Sequence, residues 1–163
     1  MFHPRPDCKV VRTCCVLLLA WLAMGGLPIA RANPPESNGA FMLSNFDARV
    51  FFALGMIESG NDDRGIGIAG EVSRYQIQPA VWRNYSESRD YRNPEVSLQV
   101  ARHHWNYLTN YFRDKAGREP TSFDMYVLWN TRFGYYDRKR FDPQRLSPVV
   151  RERAHRFVNL VNR

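Results

Sequence analysis

The sequence predicts a mostly α protein with one folded domain that follows an N-terminal targeting segment. Apolar residues recur at helical spacing between positions 46 and 57, and three later segments open with strong helix-start signals. No alternating pattern of useful length indicates a β-strand, and no internal repeat is present. A chain of 163 residues is also the usual length of one domain.

The first 32 residues have the pattern of a secretory signal peptide. Arg5, Lys9 and Arg12 precede the apolar run VLLLAWLAMGGLPIA, and residues 30–32 (Ala-Arg-Ala) form a cleavage site. The run is too short for a comfortable membrane span. We therefore expect export to the periplasm or the outside of the cell, with no stable span after cleavage. The alternative is that this segment stays attached as an uncleaved anchor.

Cleavage before Asn33 would leave 131 residues, with 33–44 as a leader and 45–163 as the folded domain. All three cysteines lie in the signal, so the mature chain excludes both a disulfide framework and a cysteine nucleophile. Its charge is +4, from 19 Lys and Arg against 15 Asp and Glu, and 17 of the cations are arginine. Such a surface suits an anionic polymer such as a bacterial cell wall. It would suit nucleic acid too, but export argues against that partner.

The first predicted helix begins at a cap, Ser44 or Asn45, and ends at Glu58. Its apolar face consists of Phe46, Val50, Ala53, Leu54 and Ile57. The segment 60–74 carries four glycines and is predicted to be a long loop, and long ordered loops in small domains tend to be functional. A short helix over 79–85 follows, with a proline in its first turn.

Three more helices follow along the chain. Asn93-Pro94-Glu95 is a helix start, and that helix runs to about Lys115 with an apolar face of Val96, Val100, His103, Tyr107 and Tyr111. Residues 121–124 open the next helix as a capping box, with Phe123, Tyr126, Val127 and Asn130 on one side. The last helix starts at Ser147–Pro148 and is expected to bury Val150, Ala154, Phe157, Val158 and Val161. The charged segment 135–145 is predicted to be a loop.

Two motifs overlap between positions 58 and 77 and indicate different chemistry. Gly65, Gly67 and Gly70 spell GxGxxG, but a helix precedes them where a dinucleotide-binding fingerprint needs a strand, so we reject that interpretation. Glu58 follows the apolar Ile57 at the end of a helix, where partial burial would raise its pKa toward that of a general acid. The alternative for Glu58 is an ordinary solvated residue at a helix end.

The segment after Glu58 resembles the catalytic region of soluble lytic transglycosylase-type domains in the lysozyme-like superfamily. Those domains carry Glu-Ser at a helix end, then a motif of the form AG-x-x-GLMQI followed by Pro-Ala. Here Glu58–Ser59 is followed at that spacing by AGEVSRYQI over 69–77 and by Pro79–Ala80. Asn93-Pro94-Glu95 resembles the start of the family's next helix, and residues 128–134, LWNTRFG, stand where the family has Ala-Tyr-Asn and a glycine. The likeness covers about residues 45–136.

The resemblance implies a lysozyme-like helical fold of the goose type and cleavage of peptidoglycan glycan strands. Glu58 would protonate the oxygen that bridges N-acetylmuramic acid and N-acetylglucosamine. As a base it would then take the proton of the muramyl 6-hydroxyl, which closes a 1,6-anhydro ring without water. The substrate-binding candidates are Ser59, Tyr75, Gln76, Trp129, Asn130 and Tyr135.

The sequence departs from the family motif at two places. Ser73–Arg74–Tyr75 replaces Gly-Leu-Met, and Trp129 replaces tyrosine. The serine in place of glycine predicts a different turn at that position.

Two other functions remain open on the sequence. Asp62, Asp63 or Glu71 could position a water and make the protein a hydrolytic muramidase, although Asn-Asp-Asp is also ordinary turn chemistry. A catalytically inactive peptidoglycan-binding module, with a partner in an envelope or secretion apparatus, is the other alternative.

Aromatic side chains near the motifs are candidates for a sugar-binding groove. Tyr75, Trp129 and Tyr135 are predicted to line it, whereas Trp82 and Trp105 are predicted to lie in the core. The pair His103–His104 has no further ligand at metal-binding spacing, so we expect a core-facing His103 with an exposed neighbour and no cofactor.

Overall fold

The computed structural model describes residues 45–163, and helices account for about 60% of them, as the sequence predicts. The elements are α1 Asn45–Ser59, α2 Pro79–Trp82, α3 Pro94–Ala116, α4 Ser122–Asn130, α5 Tyr135–Arg138, a 3₁₀ turn Pro143–Arg145 and α6 Pro148–Val161. No strand occurs within 45–163, and no helix there is long and apolar enough to cross a membrane. The predicted signal peptide, the leader over 33–44 and the cap at Ser44 lie outside the described residues.

Local side-chain chemistry fixes where the long helices begin and end. Asn93 caps α3 and Ser147 caps α6, because each side chain accepts hydrogen bonds from backbone N–H groups of the first turn. Thr121 and Asp124 form a complete capping box at the start of α4. Helix α3 ends at Gly117, whose φ of 67° is in the left-handed region that favours glycine. These helix boundaries confirm the sequence predictions.

Helix α4 lies at the centre of the hydrophobic core. Its residues 124–128 are all buried, and it packs against α3, α5 and α6, while α1 packs against α6. Tyr126 of α4 stacks on Phe157 of α6 with 5.0 Å between ring centroids. Trp82 is fully buried and Trp105 packs against the core, as predicted. This arrangement brings α4 and α6 to the C-terminal end of α1, where Glu58 lies.

The buried face of α3 differs from the prediction. The structure buries Ser97, Val100, Ala101, Leu108 and Phe112. His103 and Tyr107 are exposed and His104 is half-buried, so the expectation of a core-facing His103 with an exposed neighbour was wrong. The small side chains at 97 and 101 let the helix approach the core closely, and that stripe continues through 108 and 112 at helical spacing.

The segment 135–145 is not a loop, contrary to the prediction. It contains α5 and the 3₁₀ turn, and its aromatic residues Tyr136 and Phe141 are buried against Phe112. The ring centroids of Phe112 and Phe141 lie 4.9 Å apart. The loop was predicted from the many charged residues of this segment, whereas two aromatic side chains pack the segment against the core.

The predicted loop after α1 contains a tight reversal at its C-terminal end. Val72 and Ile77 exchange backbone hydrogen bonds of 2.9 and 3.0 Å, so the chain folds back on itself between them. Ser73 has a φ of 63° and Gln76 a φ of 50°, both in the left-handed region. Ser73 therefore adopts a backbone conformation suited to glycine, and the different turn expected from this serine stays a prediction.

Candidate functional site

Glu58 lies where three helices meet. Its side chain is only 8% exposed, although it borders an open cleft. Asn130, at the end of α4, donates a long hydrogen bond of 3.5 Å from Nδ2 to Oε1 of Glu58. Arg153 of α6 places Nη2 at 3.9 Å from Oε2. The buried hydroxyl of Tyr126, also on α4, lies against the same carboxyl group.

Burial raises the pKa of Glu58 above its ordinary value of 4.5, because desolvation disfavours the charged form. The Tyr126 hydroxyl, the Arg153 guanidinium and the Asn130 amide each lower this pKa, but together they do not cancel the effect of burial. The negative charge of Glu71 adds to the rise, and the C-terminal end of α1 also disfavours a carboxylate. Glu58 therefore keeps its proton to a higher pH than a solvated glutamate, as a general acid requires.

The cleft beside Glu58 has a volume of about 740 Å³. A second cavity of about 620 Å³ adjoins it and shares Gln76, Gln78, Trp129, Thr131 and Arg132 with it. We call the two together the groove. Its acidic end contains Glu58 and Glu71, and its aromatic end is lined by the rings of Tyr85, His104, Tyr107, Trp129 and Phe133.

One wall of the acidic end is built by the loop that follows α1. Glu71 accepts hydrogen bonds from the backbone N–H of Ala69 and from the side chain of Gln78, both at 3.0 Å. A Cβ atom at Gly67 would lie 2.2 Å from Oε2 of Glu71 and 2.4 Å from Oε1 of Gln76. Gly67 is therefore in close contact with the ends of two groove side chains, and a larger residue at this position would have to displace them.

At the aromatic end, neutral and apolar groups dominate. Burial lowers the pKa of His104 to about 4, so its imidazole is uncharged at neutral pH. Nδ1 of His104 lies 3.2 Å from the hydroxyl of Tyr85. Trp129 packs on His104 with 5.1 Å between centroids, and its indole N–H donates to the backbone carbonyl of Tyr75 at 3.3 Å. This end has the amphipathic aromatic surface that sugar rings stack against.

The groove brings together four of the residues that the sequence singled out: Glu58, Gln76, Trp129 and Asn130. Gln76 has its strained left-handed backbone at the junction of the two cavities, and its side-chain amide donates to the carbonyl of Ser73 at 3.0 Å. Such strain in a non-glycine residue is found preferentially at functional positions.

The other three predicted binding residues lie elsewhere. Tyr75 is only 4% exposed and packs edge-on against Phe51, so the prediction that its ring lines the groove was wrong. Tyr135 lies on α5 and does not contribute to the groove lining. Ser59 donates from Oγ to the carbonyl of Arg74 at 2.8 Å and accepts from the N–H of Asp62, which closes the base of the loop. Its contribution to the site is to hold that loop.

The three acids considered for positioning a water are separated by the structure. Asp62 accepts from the N–H of Arg64 at 2.9 Å, as in an ordinary turn, and Asp63 forms a bidentate ion pair with Arg74. Neither lines the acidic end of the groove, whereas Glu71 does. The ion pair also gives Arg74, which replaces the leucine of the family motif, a local structural role.

Tyr126 and Arg153 were not recognised in the sequence as members of the site. Tyr126 precedes Asn130 by four residues, so helical spacing puts both on one face of α4, and this signal was available. Arg153 precedes the buried Ala154 on α6, and only the packing of α6 against α1 brings it to Glu58.

No group of three or more potential metal ligands occurs in the part of the chain that the structure describes. Comparisons of the chain with protein-family models, with curated proteins and with solved structures found no match.

Proposed function

We propose that this protein is a lytic transglycosylase with a lysozyme-like fold, which cleaves the β-1,4 bond between N-acetylmuramic acid and N-acetylglucosamine in peptidoglycan. The observation that carries the proposal is the carboxyl group of Glu58, buried and with a raised pKa at the edge of an open groove. The motif likeness supplies the substrate class. The aromatic end of the groove supports it further, since sugar rings stack on such surfaces.

Glu58 acts twice in this mechanism. Its proton passes to the bridging oxygen, the bond from that oxygen to C1 of the muramyl residue breaks, and the N-acetylglucosamine leaves with a free 4-hydroxyl. The muramyl 6-hydroxyl then bonds to C1 and its proton returns to the Glu58 carboxylate. No water enters and no second carboxylate is needed. Asn130 and Arg153 hold the carboxylate during the interval in which it is charged.

A hydrolytic muramidase is the second candidate. Of the three acids considered for positioning its water, Glu71 is the one that lines the groove. Glu71 faces the same acidic end of the groove as Glu58 and could activate a water there. Its two oxygens already accept hydrogen bonds from Ala69 and Gln78, so a water activated by Glu71 would have to compete with two existing donors. We therefore rank lytic cleavage first and keep a non-catalytic binding module as the third candidate.

The cellular setting is proposed from the sequence. A signal peptide over 1–32 would place the mature chain in the periplasm or outside the cell, where peptidoglycan is the natural partner. An envelope or secretion-apparatus protein is a further candidate partner.

Mass spectrometry of peptidoglycan digested by the mature chain tests the proposal. Glu58→Gln and Glu71→Gln are run beside it, with the exposed Glu87→Gln as the matched control for loss of a carboxylate. Muropeptides one water lighter than muramidase products, absent only with Glu58→Gln, would support the lytic reaction. Hydrated products that require Glu71 would establish the hydrolase. Binding to sacculi without any product from the parent protein would establish the binding module.

A further inference from the structure

Tyr126 has a buried hydroxyl without a hydrogen-bond partner among residues 45–163. The residue is 1% exposed at the centre of α4. Buried polar atoms are nearly always paired, and a phenylalanine would fill the same space without leaving a polar atom unpaired. The hydroxyl therefore lowers the stability of the resting fold, and its presence needs a reason other than packing.

The surroundings of this hydroxyl are the groups of the acidic site. It lies against the carboxyl group of Glu58 and near the guanidinium of Arg153, but its geometry falls short of a normal hydrogen bond. Asn130, one helical turn later on α4, is the residue that donates to Glu58. The ring of Tyr126 is held by its stacking on Phe157, with 18° between the ring planes. Helix α4 thus presents two donors to one carboxyl group, and one of them is unused.

We propose that Tyr126 is a positioning residue for Glu58, whose hydroxyl donates to the carboxylate once Glu58 has given up its proton. This inference rests on the proposed function. A bond that forms only after the proton leaves stabilises the product of the acid step more than its reactant, and such differential stabilisation accelerates the step. The hydroxyl is unpaired in the resting protein because it donates only to the charged form of Glu58.

Tyr126→Phe tests this role, and Tyr136→Phe is its matched control. Tyr136 is equally buried, but its hydroxyl donates to Asp124 at 2.8 Å and it is not part of the groove. Three quantities are measured on both variants: the unfolding temperature, the midpoint of Glu58 in a carboxyl ¹³C NMR titration assigned with Glu58→Gln, and the pH profile of turnover on peptidoglycan.

For Tyr126→Phe we expect an unfolding temperature equal to or above that of the parent and a Glu58 midpoint moved to higher pH. We also expect a kcat lower by about tenfold with KM unchanged, and an alkaline limb of the pH profile moved to higher pH. Tyr136→Phe should lower the unfolding temperature and leave the Glu58 midpoint unchanged.

An unchanged Glu58 midpoint in Tyr126→Phe would overturn the inference, as would a shift of equal size in Tyr136→Phe. The titration needs no substrate. If the parent protein releases no peptidoglycan product, the proposed function fails while the contact between Tyr126 and Glu58 can still be tested.

Discussion

The domain contains two buried carboxylates whose surroundings act in opposite directions. Asp124 is 2% exposed, and Oδ2 and Oδ1 accept hydrogen bonds of 2.7 to 3.1 Å from Arg118, Thr121 and Tyr136. Glu58 is 8% exposed and has one long hydrogen bond, from Asn130, and a distant cation. Burial alone would raise the pKa of both groups. The donors around Asp124 reverse that effect and lower its pKa, whereas the pKa of Glu58 stays raised.

The difference follows from where each residue lies on its helix. Asp124 is in the first turn of α4, where backbone N–H groups have no partner within the helix and the dipole favours a negative charge. Glu58 is at the end of α1, where the free backbone groups are carbonyls that cannot donate to a carboxylate. Asp124 therefore stabilises the fold as a carboxylate, whereas the protonated form of Glu58 is favoured, as the proposed function requires.

Replacing Glu58 by glutamine gives the largest expected effect on this comparison. We expect turnover to fall by about three orders of magnitude or more, because the proton donor is lost. The folded-state pKa of Glu58 lies above its unfolded value. The free energy of unfolding therefore decreases as the pH rises from the unfolded pKa through the folded pKa, because the buried carboxyl group ionises there. Calorimetry at pH 7 should therefore give an unfolding temperature for Glu58→Gln equal to or above that of the parent. A clear loss of stability would contradict the assignment of Glu58 to function.

Replacing Asp124 by asparagine should lower stability and leave catalysis near that of the parent. We expect a loss of about 2–3 kcal/mol in the free energy of unfolding at pH 7, a figure that allows for the 45% exposure of Arg118. The lowered pKa makes this stabilisation present above the unfolded pKa of Asp124, and it is lost as the pH falls through the folded pKa.

Urea unfolding at pH 7 and in acid measures this prediction, with the exposed Asp114→Asn of α3 as the control. The difference in the free energy of unfolding between Asp124→Asn and the parent should be smaller in acid than at pH 7. The rate per folded molecule should stay near that of the parent, and a loss of catalysis without a loss of stability would reverse the roles of the two carboxylates.

The smallest effect is expected from Arg153→Gln. Arg153 lowers the pKa of Glu58, so its removal should raise that pKa further and move the alkaline limb of the pH–rate profile to higher pH. Arg153 is 39% exposed and 3.9 Å away, so a change of about two- to threefold in rate at a fixed pH on that limb is expected, smaller still at high salt. Arg156→Gln makes the same change of charge on α6 outside the groove and should leave the limb where it is.

The surroundings of Asp124 were predicted from the sequence better than those of Glu58. The capping box of Thr121 and Asp124 is a local motif whose two members are three residues apart, so the amino-acid order alone predicts it. The end of α1 near Glu58 was also predicted from a local pattern, the glycine-rich segment that follows the helix. Helical spacing places Tyr126 on the same face of α4 as Asn130. That this face and Arg153 both meet Glu58 depends on how three helices pack together, which no local pattern encodes.

The incorrect predictions have a similar physical origin. His103 was assigned to the core from helical spacing, and Tyr75 was assigned to the groove from residue type and motif position. Burial is decided by which stripe of a helix or loop meets the core. Small residues such as Ser97 and Ala101 permit the closest approach on α3, and a hydrophobicity pattern gives them little weight.

A single carboxyl ¹³C NMR titration of the parent protein tests the central contrast most directly, because both acids are followed in one sample. We predict that Glu58 titrates above its ordinary value of 4.5 and that Asp124 titrates below its ordinary value of 3.8. A Glu58 midpoint at or below 4.5 would contradict the account, since burial would then not favour the protonated form of the group proposed as the acid.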